Sequence, residues 1–272
     1  MSFSPRRLYI FTGKGGVGKT TLSRAFVKYL VEHDHEAIYL TLKNQSLGEH
    51  HFGNQEVTRS GIRELTLDLE ECARAYIEKR LNSRMISSWI VKTPFFRALI
   101  NMVPGFSYMI FLGKILEMGK DNPRLIVVLD APASGHALTM VESTSNFQQI
   151  FESGVIFEDT MKMLSRLNDP TYTKMHVVSL PSLMSWQEAM ELKTGLKQRT
   201  PVEVDVTINN YLYPLVEQNL PDLPEGLKDK ALNEKKLIEE NLSQVQCILP
   251  HSLASTAIAI EADLVGSLSK LI

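Results

Sequence analysis

Residues 8–21 read Leu8-Tyr9-Ile10-Phe11-Thr12-Gly13-Lys14-Gly15-Gly16-Val17-Gly18-Lys19-Thr20-Thr21. An apolar run leads into a glycine-rich turn, and a Lys-Thr pair opens an amphipathic stretch. This is the phosphate-loop pattern G-x-x-x-x-G-K-[ST], with a strand before it and a helix after it. The glycines let the main chain fold into a nest whose N–H groups point at one anion. A helix opening near Lys19 adds the positive end of its dipole. Lys19 then supplies a cation for the outer phosphates, and the Thr20 hydroxyl joins a Mg²⁺ shell. The candidate phosphate-binding set is Gly13, Lys14, Gly15, Gly16, Val17, Gly18, Lys19, Thr20 and Thr21. A glycine-rich tight turn without a ligand is the bland alternative, and the order of strand, loop, Lys-Thr and helix weighs against it.

Outward from this stretch, further short apolar runs at residues 37–42, 125–129, 176–180 and 245–249 have the length and composition of strands buried on both faces. A sixth, at 202–208, is more mixed. Helical patterns at 20–32, 69–81 and 185–198 separate them. Alternation of this kind predicts an α/β fold, a parallel sheet flanked by helices, with ligands at the carboxyl ends of the strands. No strand is expected between residues 69 and 124. That region reads as helices at 78–92 and 93–120, standing off the sheet, and a further helix is expected at 147–167. Residues 1–272 are therefore read as one phosphate-loop domain, with a helical subdomain at about 69–124 and 147–168 inserted between strands. Residues 218–230, with Pro221, Pro224 and Gly226, read as a surface loop.

Composition narrows the function. The 272 residues carry 29 Lys and Arg against 31 Asp and Glu, a formal charge of −2, which argues against nonspecific nucleic-acid binding. The two cysteines, Cys72 and Cys247, are too far apart in sequence for a CxxC metal or redox motif. No apolar run reaches the roughly 18 residues of a membrane span, and no targeting segment is read at the start, so the expected location is cytoplasmic.

A second motif lies at 125–138, Leu125-Ile126-Val127-Val128-Leu129-Asp130-Ala131-Pro132-Ala133-Ser134-Gly135-His136-Ala137-Leu138. A buried strand ending in Asp130 places a carboxylate to hold Mg²⁺ through a water. Together, GKGGVGKTT and the Asp130 to Leu138 run resemble the arsenite-pump and tail-anchored-protein-targeting ATPases, a branch of the deviant Walker A P-loop ATPases. The resemblance implies ATP and Mg²⁺ as cofactors and a homodimer in which Lys14 reaches the partner's nucleotide. It implies a catalytic role for Lys14 and Lys19, metal binding by Thr20 and Asp130, and a switch II at Asp130, Ser134, Gly135 and His136. The segment Ile208-Asn209-Asn210-Tyr211-Leu212-Tyr213-Pro214 resembles the family's adenine-reading segment, in which Asn209 would bond the base; an Asn turn is the alternative. Pro250 falls where the adenine-flanking loop lies, and Glu188 also matches the family.

The chain departs from this family after its second strand. There the family carries an Asp that orients the attacking water, whereas this chain has Lys43-Asn44-Gln45-Ser46-Leu47-Gly48-Glu49-His50-His51. Losing such a group costs about 10²–10⁴ in rate. Two readings follow: an ATPase switch, or a nucleotide-dependent scaffold with little turnover. Residues 85–118 hold Met85, Met102, Met109 and Met118 beside Phe95, Phe96, Phe106, Tyr108 and Phe111. This stripe is either packed core or a groove for a hydrophobic helix or membrane-protein client.

Overall fold

The computed structural model describes residues 5–43, 53–103, 105–150 and 155–272. The strands are β1 (Leu8–Thr12), β2 (Ala37–Lys43), β3 (Gln55–Arg59), β4 (Ile62–Asp68), β5 (Ile126–Asp130), β6 (Thr173–Ser179), β7 (Glu203–Tyr211) and β8 (Cys247–Pro250). They form one sheet in the order β3-β4-β2-β5-β1-β6-β7-β8, and every neighbouring pair is parallel except β3 with β4.

The helices are α1 (Lys19–Glu32), α2 (Leu69–Leu81), α3 (Arg84–Val91), α4 (Pro94–Met102), α5 (Phe106–Asp121), α6 (Ser134–Ile150), α7 (Val155–Leu167), α8 (Leu183–Lys197), α9 (Tyr213–Val216), α10 (Glu225–Asn241) and α11 (Ala257–Val265). Successive strand residues point to opposite faces, and each face has its own core. Leu8 and Ile10 join Val127, Leu129 and Val177 beneath α5, α6 and α8. Tyr9 and Phe11 join Val128 and Val178 beneath α1 and α11. Along α1 the fully buried Leu22, Phe26 and Leu30 recur at helical spacing, each worth about 1.5–3 kcal/mol in burial.

Three expectations are corrected. Two strands, β3 and β4, are missing from the sequence reading. They form a hairpin closed by Ser60 and Gly61, both at positive φ, with Arg59 opposite Ile62; this is the two-residue turn that suits strand twist. All of β3 is exposed, so it lacks the apolar signature of a buried strand. Part of the helical segment does not stand off the sheet either: Tyr108, Phe111, Leu112 and Ile115 of α5 lie in the same core as Leu8 and Val127, whereas Val91 and Phe96 of α3 and α4 pack in a separate cluster. The expected loop at 218–230 is a 3₁₀ turn at Glu217–Asp222 followed by α10. Pro224 sits at the helix start, where its missing N–H costs nothing, and three i,i+4 Lys–Glu pairs line the helix. In addition, residues 147–150 belong to α6 rather than to a single helix running to 167.

One core residue carries a pH dependence. His176 is fully buried and stacks on Phe11 with ring centroids 4.9 Å apart. Burial disfavours its imidazolium and nearby Lys174 repels it, outweighing the Leu271 backbone, so its pKa falls to about 3. The unfolded chain takes up this proton near pH 6.5 and the folded chain does not. Stability is therefore expected to fall as pH drops from about 6.5 toward 3, by on the order of 1 kcal/mol per unit from this residue. Urea unfolding at several pH values should show the slope, and His176→Phe should flatten it.

Candidate functional site

β1 lies between β5 and β6, and the turn leaving its carboxyl end, Gly13–Gly18, opens directly into α1. Gly13, Gly16 and Gly18 have φ of 142°, 82° and 89°, conformations that favour glycine. At Gly13 a Cβ would stand 2.3 Å from the Val178 carbonyl oxygen of β6. Gly18 caps α1 without any side-chain hydrogen bond. The first-turn amides therefore face the loop, as an anion site requires.

The side chains gather around this loop. Lys19 Nζ donates to the Lys14 carbonyl at 2.9 Å. Burial lowers its pKa, with Asp130 pulling the other way. Thr20 Oγ1 donates to Asp130 Oδ2 at 2.6 Å, and the Tyr39 hydroxyl donates to the same oxygen at 2.9 Å. Tyr39 is held strongly protonated by burial and by that carboxylate. Sequence reading misses Tyr39, since its place within a buried strand gives no sign of a polar role. Its ring stands beside Asp130 only because β2 pairs with β5. Lys14 is exposed and its ammonium lies 2.5 Å from Glu188 of α8. Thr21 lies in the first turn of α1, in the wall of the pocket described next.

Behind the loop is a small cavity of about 180 Å³, lined by Gly16, Val17, Thr21, Asn209, Pro250 and Ser252. The structure thus brings Asn209 and Pro250, from the ends of β7 and β8, to the phosphate loop. Asn209 Nδ2 donates to the Val17 carbonyl at 2.9 Å, so its amide nitrogen is engaged with the loop and its oxygen faces elsewhere. Asn210, at φ 67°, and His251 bond one another at the same rim. Neither is singled out by sequence, because a turn Asn and an isolated His carry no motif.

Gly135 and His136 are exposed on the first turn of α6, five and six residues beyond Asp130. Ser134 opens that helix. The His136 ring lies 6.3 Å from that of Tyr108 on α5, so the segment after Asp130 touches the helical layer. After the second strand, where the resemblance expects a water-orienting Asp, Lys43 ends β2 opposite Asp68 of β4. Asp68 is buried and caps α2 through the Glu71 amide. Asn44, Glu49 and His50 lie outside the described residues.

Comparison with known proteins places the chain. It is 22% identical over 260 residues to a putative arsenical pump-driving ATPase of Halobacterium salinarum, covering 86% of this chain and 38% of that protein. It is 26% identical over 268 residues to the arsenical pump-driving ATPase of Acidiphilium multivorum, covering 86% and 41%. ATPase BagA of Mycobacterium tuberculosis is 22% identical over 241 residues, covering 82% and 71%. The chain thus spans about two fifths of the length of the two pump proteins. Residues 6–166, more than half of the chain, match the anion-transporting ATPase family. With the glycine loop, Lys19 and the Thr20–Asp130 pair set at the carboxyl ends of a parallel sheet, this chain belongs to the anion-transporting ATPase family.

Proposed function

We propose that the chain is an ATP-driven switch that binds ATP with Mg²⁺ at the Gly13–Thr21 loop, hydrolyses it and acts as a homodimer. The observation that carries this reading is convergence. Loop amides, the Lys19 ammonium, the Thr20 hydroxyl and the Asp130 carboxylate surround one point at the ends of β1 and β5. Thr20 and Asp130 are hard oxygen donors 2.6 Å apart, a set that fits Mg²⁺. When bound there, the ion supplies charge neutralisation for the outer phosphates. Lys19 exchanges the Lys14 carbonyl for phosphate oxygens. Lys14 leaves Glu188 to reach the partner's nucleotide, so the Glu188 contact holds it back until the dimer closes. Movement at Asp130–His136 passes through α6 to Tyr108 and the helical layer.

The purified protein is expected to release phosphate from ATP only with Mg²⁺, and a non-hydrolysable analogue should drive dimer formation in light scattering. Lys14→Ala should weaken that dimer by about tenfold while leaving nucleotide binding to the single chain intact. If binding and dimerisation persist without phosphate release, the second reading holds, that of a nucleotide-dependent scaffold without turnover. Lys43 favours that reading, since it ends β2 where the resemblance expects the stretch bearing the water-orienting Asp.

We further propose that any client surface is formed by the exposed part of the 85–118 stripe and not by its buried part in α5. Met109 and Phe111 are buried, so they serve the core. Among the described residues the exposed large apolar side chains here are Met85 (83%), Ile86 (47%), Trp89 (69%), Phe95 (77%) and Met102 (79%), on α3 and α4. An apolar face of this kind suits capture of a hydrophobic helix. A labelled apolar helical peptide should bind in fluorescence anisotropy, and Trp89→Asp with Phe95→Asp should weaken it about tenfold or more. Unchanged affinity would exclude this face.

A further inference from the structure

A second cavity, of about 620 Å³, lies in the helical layer between α2, α5 and α7 and shares no residue with the nucleotide site. Its volume is in the range of small-molecule sites, roughly 300–1,000 Å³. Much of its wall is aliphatic, from Ile110, Leu116 and Met163. Gly113 of α5 leaves room for the Met163 methyl of α7, which would lie 2.8 Å from a Cβ at that position. The Cys72 thiol, its pKa pushed up to about 12 by burial, adds a neutral surface.

The rim is cationic. Six basic side chains line the cavity against two carboxylates. Both carboxylates are already engaged. Glu117 takes Lys79 at 2.6 Å and Lys114 at 3.0 Å. Asp159 takes Arg80 and, at 2.9 Å, the Tyr76 hydroxyl. Among the described residues Lys120 and Lys162 have no ion-pair partner, and Arg166 lies 5.2 Å over the Tyr172 ring. Two lysines without an ion-pair partner, beside an Arg166 whose charge also acts on Asp169, therefore border an apolar hollow. A bare anion would leave the aliphatic wall wet, and a neutral apolar molecule would leave the ammonium groups unused.

We infer that this cavity binds a single-chain anionic amphiphile, with its tail against Ile110, Leu116 and Met163 and its acid head among Lys120, Lys162 and Arg166. The test is calorimetric titration of the full chain with decanoate and with decyl phosphate, both below micellar concentration. One-to-one binding of decanoate alone identifies a carboxylate head, and of decyl phosphate alone a phosphate head; either result, or both, supports the site. Reversing two exposed charges, Lys120→Glu with Lys162→Glu, should weaken binding at least about tenfold. Leu116→Trp should abolish it by filling the hollow, with thermal melts verifying that each variant folds. Trp89→Asp should leave it unchanged. The inference fails if neither amphiphile binds, or if decyltrimethylammonium binds as tightly. It fails equally if inorganic phosphate matches decyl phosphate, if the charge reversal has no effect, or if Trp89→Asp removes binding and so moves the amphiphile to α3 and α4.

Discussion

Lys19→Ala is expected to weaken ATP binding by about 10- to 100-fold and to lower any turnover by a further 10²–10³. The first figure is the worth of charge-assisted hydrogen bonds at about 1.5–3 kcal/mol. The second is the usual cost of removing a donor aimed at charge that grows during the reaction. The ammonium rests on the Lys14 carbonyl at the mouth of the loop, and burial lowers its pKa. It is therefore partly stripped of water and poised for a stronger acceptor. A ligand at 100 times its Kd stabilises the fold by about 2.7 kcal/mol. The missing rise in melting temperature with Mg-ATP would report the loss, while the ligand-free variant should melt near the unmutated protein. An unchanged ATP-induced shift would remove Lys19 from the site.

Gly13→Ala is expected to have the largest effect on stability of any single methyl added to the loop, about 2–6 kcal/mol. Two costs add. The residue's φ of 142° is a conformation L side chains rarely adopt, at about 1–3 kcal/mol. The new Cβ would also stand 2.3 Å from the Val178 carbonyl oxygen, which belongs to a central strand and cannot step aside. Gly15→Ala is the matched control, because nothing lies within 4 Å of its added carbon. Urea midpoints of the two variants should separate widely, and equal midpoints would show that β6 yields.

How legible each part is depends on whether its cause is local. The turn from β1 into α1 can be read directly, because its glycines, lysine and threonine answer to a single backbone shape. The strand ending in Asp130 can be read for the same reason, since residues 126–129 are buried on both faces. The β3–β4 hairpin is harder: β4 buries Ile62 on one face of the sheet and Leu65 and Leu67 on the other, between exposed or half-buried Arg63, Glu64 and Thr66, and β3 is wholly exposed. Only the Ser60-Gly61 turn betrays it. Lys174 hides the start of β6, because a lysine reads as surface. Here it is buried against Asp205 at 3.0 Å. The engagement of Asn209 with Val17, and of Tyr39 with Asp130, joins residues distant in sequence, so neither has a local signature. The methionine-rich stripe shows the same limit. Apolar content marks α3, α4 and α5 alike, and only packing separates the buried Met109 from the exposed Met85 and Met102.

The position of β1 between β5 and β6 makes the chain indivisible. Cut after Leu167, the fragment would keep every residue of the glycine turn yet turn its central strand into a raw sheet edge, open to pairing with other copies. It would also lose Val178 and Asn209, the two abutments that brace the turn from the far side. The matched stretch, residues 6–166, thus leaves out part of what braces its own glycine turn.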